Sequence, residues 1–288
     1  MIKSKSYAKI NLSLELLNKR NDGFHNILSI MQTVSLYDDI SVRLSDNITI
    51  NTNIESLKAN DNLIYIAAKK MQDRFNIDQG AHIELIKNIP LSSGLGGGSS
   101  NAATAILLLK KLWKIECTNK VLLDFASELG SDVPFFLTGG TVLVSGKGDN
   151  IEKLPDIPET IFLLIIDEEI TQNKTALMYS HIRLRDFTPG VETDNLKNQI
   201  LMGSNIANTD LFNGFDSIAT EYTPYVNMVF SHLADLEIDG FHVSGSGPTV
   251  FIIMDNIEEA KDLKKYLYDK YNQNSIITQS HNPCRKLD

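Results

Sequence analysis

Between Pro90 and Ala102 the chain reads Pro90-Leu91-Ser92-Ser93-Gly94-Leu95-Gly96-Gly97-Gly98-Ser99-Ser100-Asn101-Ala102. Four glycines within five positions leave almost no Cβ atoms in the way, so the backbone can take left-handed dihedrals and turn successive N–H groups toward one anion. Ser99 and Ser100 add hydroxyl donors, and one of them stands where the N-cap of the Ala- and Leu-rich run Asn101 to Trp113 belongs. A phosphate held there would meet unpaired amides and the positive end of a helix dipole. The alternation from His82 to Ile89 reads as a strand, so strand, glycine loop and helix come in the order that phosphate binding needs. A Walker A loop is excluded, because no lysine lies between Pro90 and Lys110. A dinucleotide fingerprint is weakened, because Ser99 stands where its third glycine should be. A flexible linker is not usually inserted directly between an alternating strand and an apolar helix.

Two charged residues join the loop as candidates for chemistry. Ala8, Ile10, Leu12, Leu14 and Leu16 alternate with Tyr7, Lys9, Asn11, Ser13 and Glu15, so Lys9 and Asn11 point the same way and can line one pocket. Taken alone, Lys9 reads as a solvated strand charge. Asp132 precedes the apolar run Val133-Pro134-Phe135-Phe136, which partly desolvates it; its plain reading is the N-cap of a short helix. Asn21-Asp22-Gly23 is a turn signature that delivers Phe24 and His25, by themselves a core anchor and a satisfied surface residue.

The stretch from Pro90 to Ala102 resembles the second motif of the GHMP kinases, the family of galactokinase and of homoserine, mevalonate and phosphomevalonate kinases. Its triple glycine and Ser-Ser-Asn-Ala most resemble the branch of 4-diphosphocytidyl-2-C-methyl-D-erythritol kinases. Ala8-Lys9-Ile10-Asn11-Leu12 is similar to the first motif of that branch, Gly130-Ser131-Asp132-Val133-Pro134-Phe135-Phe136 to its Gly-Ala-Asp-Val-Pro-Phe-Phe, and Gly240 to Ile252 to the third family motif. These motifs cover essentially the whole chain.

The resemblance implies an α+β, two-domain GHMP kinase fold with the active site in the cleft between domains, here residues 1–155 and 156–288. It implies ATP and Mg²⁺ as cofactors and transfer of the γ-phosphate to the 2-hydroxyl of the cytidyl alcohol. Asp132 would accept the hydroxyl proton, with Lys9 keeping it ionised and polarising the alcohol. ATP would lie on Pro90, Leu91, Ser92, Ser93, Gly94, Leu95, Gly96, Gly97, Gly98, Ser99 and Ser100, with Mg²⁺ near Ser99 or Ser100 and with Asn62 and Lys87 on the adenine side. Substrate would meet Asn11, Phe24, His25, Thr175 and Tyr179, the cytosine sandwiched by Phe24 and Tyr179 and read by His25. The sequence departs from the branch at Phe24, where a tyrosine is usual, and across Asp167 to Lys174, where a Val-Ser-Thr loop is usual. The rival readings are a GHMP kinase for mevalonate or homoserine, whose substrates have no base to stack, and a binding-only sensor, which would have no need of Asp132.

Around these residues the hydropathy pattern predicts strands at Ile27 to Leu36 and Ile40 to Ile50 separated by a Tyr37-Asp38-Asp39 turn, and a helix after the cap Asn60-Asp61-Asn62. It further predicts helices at Val121 to Gly130, Asp194 to Met202, Asp210 to Leu236 and Glu258 to Tyr271, with Asn213-Gly214-Phe215 interrupting the third. Pro155 and Pro158 mark a crossing between domains. The 288 residues carry a formal charge of −9, which argues against a nucleic-acid partner but not against a local phosphate site. Cys117 and Cys284 match no metal or redox spacing and no apolar leader precedes the first strand, so a reduced cytoplasm is the expected compartment. The longest aliphatic run, Ile161 to Ile166, is too short to span a bilayer, and nothing sets the oligomeric state or the metal ligands.

Overall fold

The computed structural model describes residues 1–55, 57, 62–167 and 174–283. Its frame is a long antiparallel ribbon, β1 (Ile2–Lys19) and β2 (His25–Ser45), joined at the Asp22–Phe24 turn. The alternating apolar residues of β1 are buried as expected, and so are Lys9, Asn11, Ser13 and Glu15 on the other face. Register shifts between Tyr7 and Lys9 and between Asn11 and Ser13 interrupt the ladder on either side of Lys9 and Asn11, and such bulges re-aim side chains and sharpen the local twist.

β2 corrects the expected pair of strands: it runs unbroken through Tyr37-Asp38-Asp39. Asp38 is fully buried because its carboxylate accepts from Lys87 Nζ, Asn101 Nδ2 and the amides of Asn88 and Ile89, so it needs no turn to reach water. The ribbon is the middle of a sheet of order β3 (Thr49–Thr52), β4 (Gly80–Ile86), β2, β1, β8 (Phe212–Asn213), while β5 (Thr141–Gly146) pairs with the first half of β2 and β6 (Asn150–Lys153) with β5. A second sheet, all antiparallel, runs β11 (Ser275–Gln279), β7 (Ile161–Ile165), β10 (Val250–Met254), β9 (His242–Val243).

Helices α1 (Leu63–Phe75), α2 (Gly97–Leu112), α3 (Asn119–Ser127) and α4 (Val133–Thr138) share one apolar core with the first sheet. Helices α5 (Lys174–Ser180), α7 (Asp216–Tyr222), α8 (Pro224–Asp235) and α9 (Ile257–Tyr271) share another with the second. A third cluster joins the two, setting Ala8, Ile10 and Leu95 against Leu164 and Phe251, with Leu196 and Ile200 of α6 (Val191–Leu201) at its border.

Two further expectations are corrected. The helix read over Asp210 to Leu236 is β8 followed by α7 and α8, because Asn213 and Phe212 pair in parallel with Leu14 and Ser13 of β1. The helix after the glycine loop begins at Gly97 with Gly96 as its cap at φ 69°, so Ser99 and Ser100 lie inside its first turn rather than at its cap. Asn62 does cap α1, accepting from Ile64 N at 2.9 Å; Asn60, Asp61 and Cys284 lie outside the described residues, while Cys117 is free and half-buried.

Candidate active site

Lys9 and Asp132 meet. Pro134 lies in the first turn of α4, and Asp132 occupies its cap position without capping it, which leaves the carboxylate to reach within 3.9 Å of Lys9 Nζ. The ammonium is 4% exposed and the carboxylate 31%. Burial pushes the Lys9 pKa below its ordinary value, and the nearby Asp132 charge only partly restores it. A hydrogen-bond chain behind the amine fixes its direction: Lys9 Nζ donates to Asn11 Oδ1 at 2.7 Å, Asn11 Nδ2 to Ser29 Oγ at 2.8 Å, and Ser29 Oγ to the Ser13 carbonyl at 2.6 Å. An ionised carboxylate beside a fixed ammonium can take a proton from an alcohol and have the resulting charge offset within the same site.

The glycine loop is built against this pair. Lys9 N donates to Leu95 O at 3.0 Å, and the Leu95 side chain is buried in the joining core. A Cβ at Gly96 would stand 2.6 Å from the Phe136 ring and 3.1 Å from Lys9 Cγ, and one at Gly94 would stand 2.3 Å from the Ser244 carbonyl oxygen. Gly98 differs: it is exposed, nothing lies within 4 Å of its missing Cβ, and the protein itself does not require a glycine there. Ser93 Oγ donates to Pro90 O and accepts from Leu95 N, closing the turn before the helix; Leu91 is half-buried and Ser92 exposed.

The hydroxyls of the first helical turn are unequal. Ser100 is buried and donates to Tyr7 O at 2.6 Å, so it is spent on docking α2 to β1. Ser99 is half-buried with no hydrogen bond among the described residues. Lys87, expected on the adenine side, is paired inside the protein. Its ammonium is buried against Asp38 at 2.5 Å and Asn101 at 3.2 Å, directly beneath Gly97, and burial pushes its pKa down.

At the far end of the ribbon His25 and Tyr179 come together with ring centroids 5.6 Å apart, Tyr179 in turn packing edge-on against Phe215. The Tyr179 hydroxyl is held firmly protonated by burial and then by the Asp132 charge, and burial lowers the His25 pKa. Phe24 stands apart, 59% exposed at the turn with the Lys147 ammonium 5.7 Å over its ring. Thr175 is exposed on α5 and accepts from Ser246 Oγ at 3.4 Å. Before it, Lys174 is buried, and desolvation lowers its pKa to about 8 against the pull of Asp167. Phe187, 6.0 Å from His25, was not legible in the sequence, since it follows a short 3₁₀ turn with no periodic signal.

Glu15, at the end of the polar face of β1, has a different task. Buried, it accepts from Gly190 N and Thr193 N and so caps α6, the negative side chain lying at the positive end of that helix. Among the described residues no cluster of three or more His, Cys, Asp or Glu could hold a metal, and no helix is long and apolar enough to cross a membrane.

Comparison with known proteins gives a consistent picture. The family model "GHMP kinases N terminal domain" matches residues 62–140. A 4-diphosphocytidyl-2-C-methyl-D-erythritol kinase of Clostridium botulinum (strain Loch Maree / Type A3) is 33% identical over 279 residues, covering 94% of this chain and 97% of the relative. One from Caldanaerobacter subterraneus subsp. tengcongensis is 35% identical, covering 90% of each. The crystal structure of a 4-(cytidine 5'-diphospho)-2C-methyl-D-erythritol kinase superposes with a TM-score of 0.81 at 26% identity, over 98% of this chain and all of that one. A homoserine kinase from Cytophaga hutchinsonii, at 22% identity and a TM-score of 0.71, shares the fold.

Proposed function

The chain belongs to the 4-diphosphocytidyl-2-C-methyl-D-erythritol kinases of the GHMP family, and from that membership we propose that it moves the γ-phosphate of ATP onto the 2-hydroxyl of that cytidyl alcohol, a step of non-mevalonate isoprenoid synthesis. The observation that supports this reading best is the 3.9 Å meeting of Lys9 and Asp132 under the glycine loop. Phosphoryl transfer needs positioning and charge neutralisation more than covalent chemistry.

In this proposal Asp132 accepts the proton of the attacking hydroxyl, and Lys9, aimed by Asn11, polarises the alcohol and offsets the charge that develops beside it. The loop from Pro90 to Ser99 cradles the triphosphate with its amides. Mg²⁺ bound to the triphosphate would supply neutralisation of its charge, and Ser99, whose hydroxyl has no partner among the described residues, fits it better than Ser100. Lys87 serves as a buried prop beneath Gly97, and Asn62 lies on the adenine side. Phe24, exposed at the turn, would stack on the cytosine, with Tyr179 as the opposite wall and His25 at its edge; Thr175 lies on the same helix as Tyr179. A division at residues 155 and 156 is supported by the two sheets, which exchange only β8. A small-molecule partner and a cytoplasmic location complete the reading; the charge of −9 speaks against nucleic acid, and among the described residues no helix is long and apolar enough to cross a membrane.

ATP consumption with the cytidyl alcohol, mevalonate and homoserine in parallel tests this. Turnover of the cytidyl compound alone is expected. Preference for either of the others overturns it.

A further inference from the structure

Four elements converge on the reversal Ser244–Gly247. The phosphate loop reaches it through Ser244 Oγ to Gly94 O at 3.1 Å and Thr249 N to Ser93 O at 3.2 Å. From β1, Lys9 Nζ and Asn11 Oδ1 lie 3.2 and 3.5 Å from where a Cβ of Gly245 would be. From α5 comes Thr175, and from β8 comes Asn213.

Asn213 is 3% exposed and commits its whole side chain to this junction: Nδ2 donates to Val243 O at 2.6 Å and Gly245 O at 2.9 Å, while Oδ1 accepts from Phe215 N at 2.9 Å. Two carbonyls on one side and an N–H on the other allow only this orientation of the amide. Within a planar trans peptide the C=O and N–H point opposite ways, so drawing the Gly245 carbonyl onto Asn213 turns the Ser246 N–H away from β8.

The reversal is closed by Gly247 N to Ser244 O at 2.9 Å, and Ser244 N is taken by Thr249 O. That leaves its two central amides. Among the described residues neither Gly245 N nor Ser246 N donates to any acceptor, although both residues are buried. Two neighbouring amides left without an acceptor inside the protein are free to meet one supplied from outside. The Lys9 ammonium beside Gly245 makes that acceptor an anion.

We propose that Asn213 is a positioning residue for the transfer: by holding the Gly245 carbonyl aside, it presents the Gly245 and Ser246 amides to an anionic oxygen of the phosphoryl group as it passes Lys9. The inference rests on the kinase reading above, but not on which alcohol is the acceptor.

The test uses the full chain labelled with ¹⁵N, Mg²⁺ and ADP, with aluminium fluoride as the phosphoryl mimic. The Gly245 and Ser246 amide resonances should move downfield with ADP and aluminium fluoride and stay near their free positions with ADP alone. Asn213→Asp keeps the acceptor for Phe215 N but loses both donors. It should lower kcat about 100-fold, the usual loss when a donor to developing charge is misplaced, with both KM values within about three-fold. Amides unmoved by the mimic, or an Asn213→Asp enzyme with unchanged kcat, overturns the assignment. If that variant does not fold, the wild-type resonances decide alone. Should the wild-type chain leave the cytidyl alcohol unphosphorylated, the proposed substrate falls, while the amide shifts, which need no acceptor alcohol, still decide the role of Asn213.

Discussion

Asp132 reaches Lys9 because it is a helix cap in position only. Had its carboxylate bonded the amides of α4, as the plain reading of the sequence has it, it would face the helix rather than the amine. Asp132→Asn keeps the shape and removes the proposed base, so kcat should fall by about 10²- to 10⁴-fold while the affinity for ATP stays near the original, measurable by steady-state kinetics and ATP titration. Lys9 gives a second prediction with opposite signs in two assays. Its proton is lost below the ordinary lysine value, so activity that needs the ammonium declines as pH rises through that lowered value. The unfolded chain keeps the proton up to about pH 10.5, so between the lowered value and 10.5 the unfolded state binds more protons and the Lys9 contribution to stability rises with pH. Stability curves of wild type and Lys9→Met should therefore converge toward high pH as the wild-type activity falls; parallel curves would count against a buried ammonium. Both residues were legible because each sits in a motif next to an apolar pattern. Asn213 and Phe187 were not, since a lone Asn in a two-residue strand and a Phe after a short turn carry no local mark of where they dock.

At the scale of elements, the glycines of the phosphate loop separate into those the fold needs and one it does not. Gly94, at φ 82°, lets two loops touch, and an added methyl would meet the carbonyl oxygens of Ser244 and Gly247. Gly94→Ala should destabilise the chain by more than the roughly 1–2 kcal/mol of a left-handed backbone alone, seen as a lowered denaturation midpoint. Gly98 lies in the first turn of α2 with open space around it. Gly98→Ala should raise stability by about 0.5–1 kcal/mol, as helix propensity dictates, yet weaken ATP binding if phosphate approaches that backbone. A variant that is both more stable and equally tight for ATP removes Gly98 from the cradle. The strand, loop and helix order was readable from periodicity. The start of α2 was misplaced by four residues because Gly96, rather than a serine, supplies the cap, and the continuity of β2 was hidden because the partners of Asp38 lie about 50 positions ahead.

Across the whole molecule the two sheets are tied by the last described residues. Ser280 bridges Val34, His281 N donates to Thr33 O at 2.9 Å, Asn282 bonds Asp156, and Pro283 fills the space beside Gly139 at the end of α4. The strap thus grips both β2 and the helix that begins beside Asp132. Ending the chain after Gln279 should lower the melting temperature by about 5 °C or more and reduce kcat; an unchanged melting curve would mean that the strap carries no weight. The α+β GHMP kinase fold was implied by the resemblance that the motifs carry, but β8 and this strap were not foreseen, because neither is long enough to show a period.

The contact between Gly94 and Ser244 spans 150 positions of sequence, and Lys9 lies nearer still to the beginning. During synthesis on the ribosome, at roughly 5–20 residues per second, the first glycine loop therefore waits about eight to thirty seconds for its counterpart. A nascent fragment that ends before Ser244 therefore lacks the contact that holds the Gly94 carbonyl from outside the glycine loop.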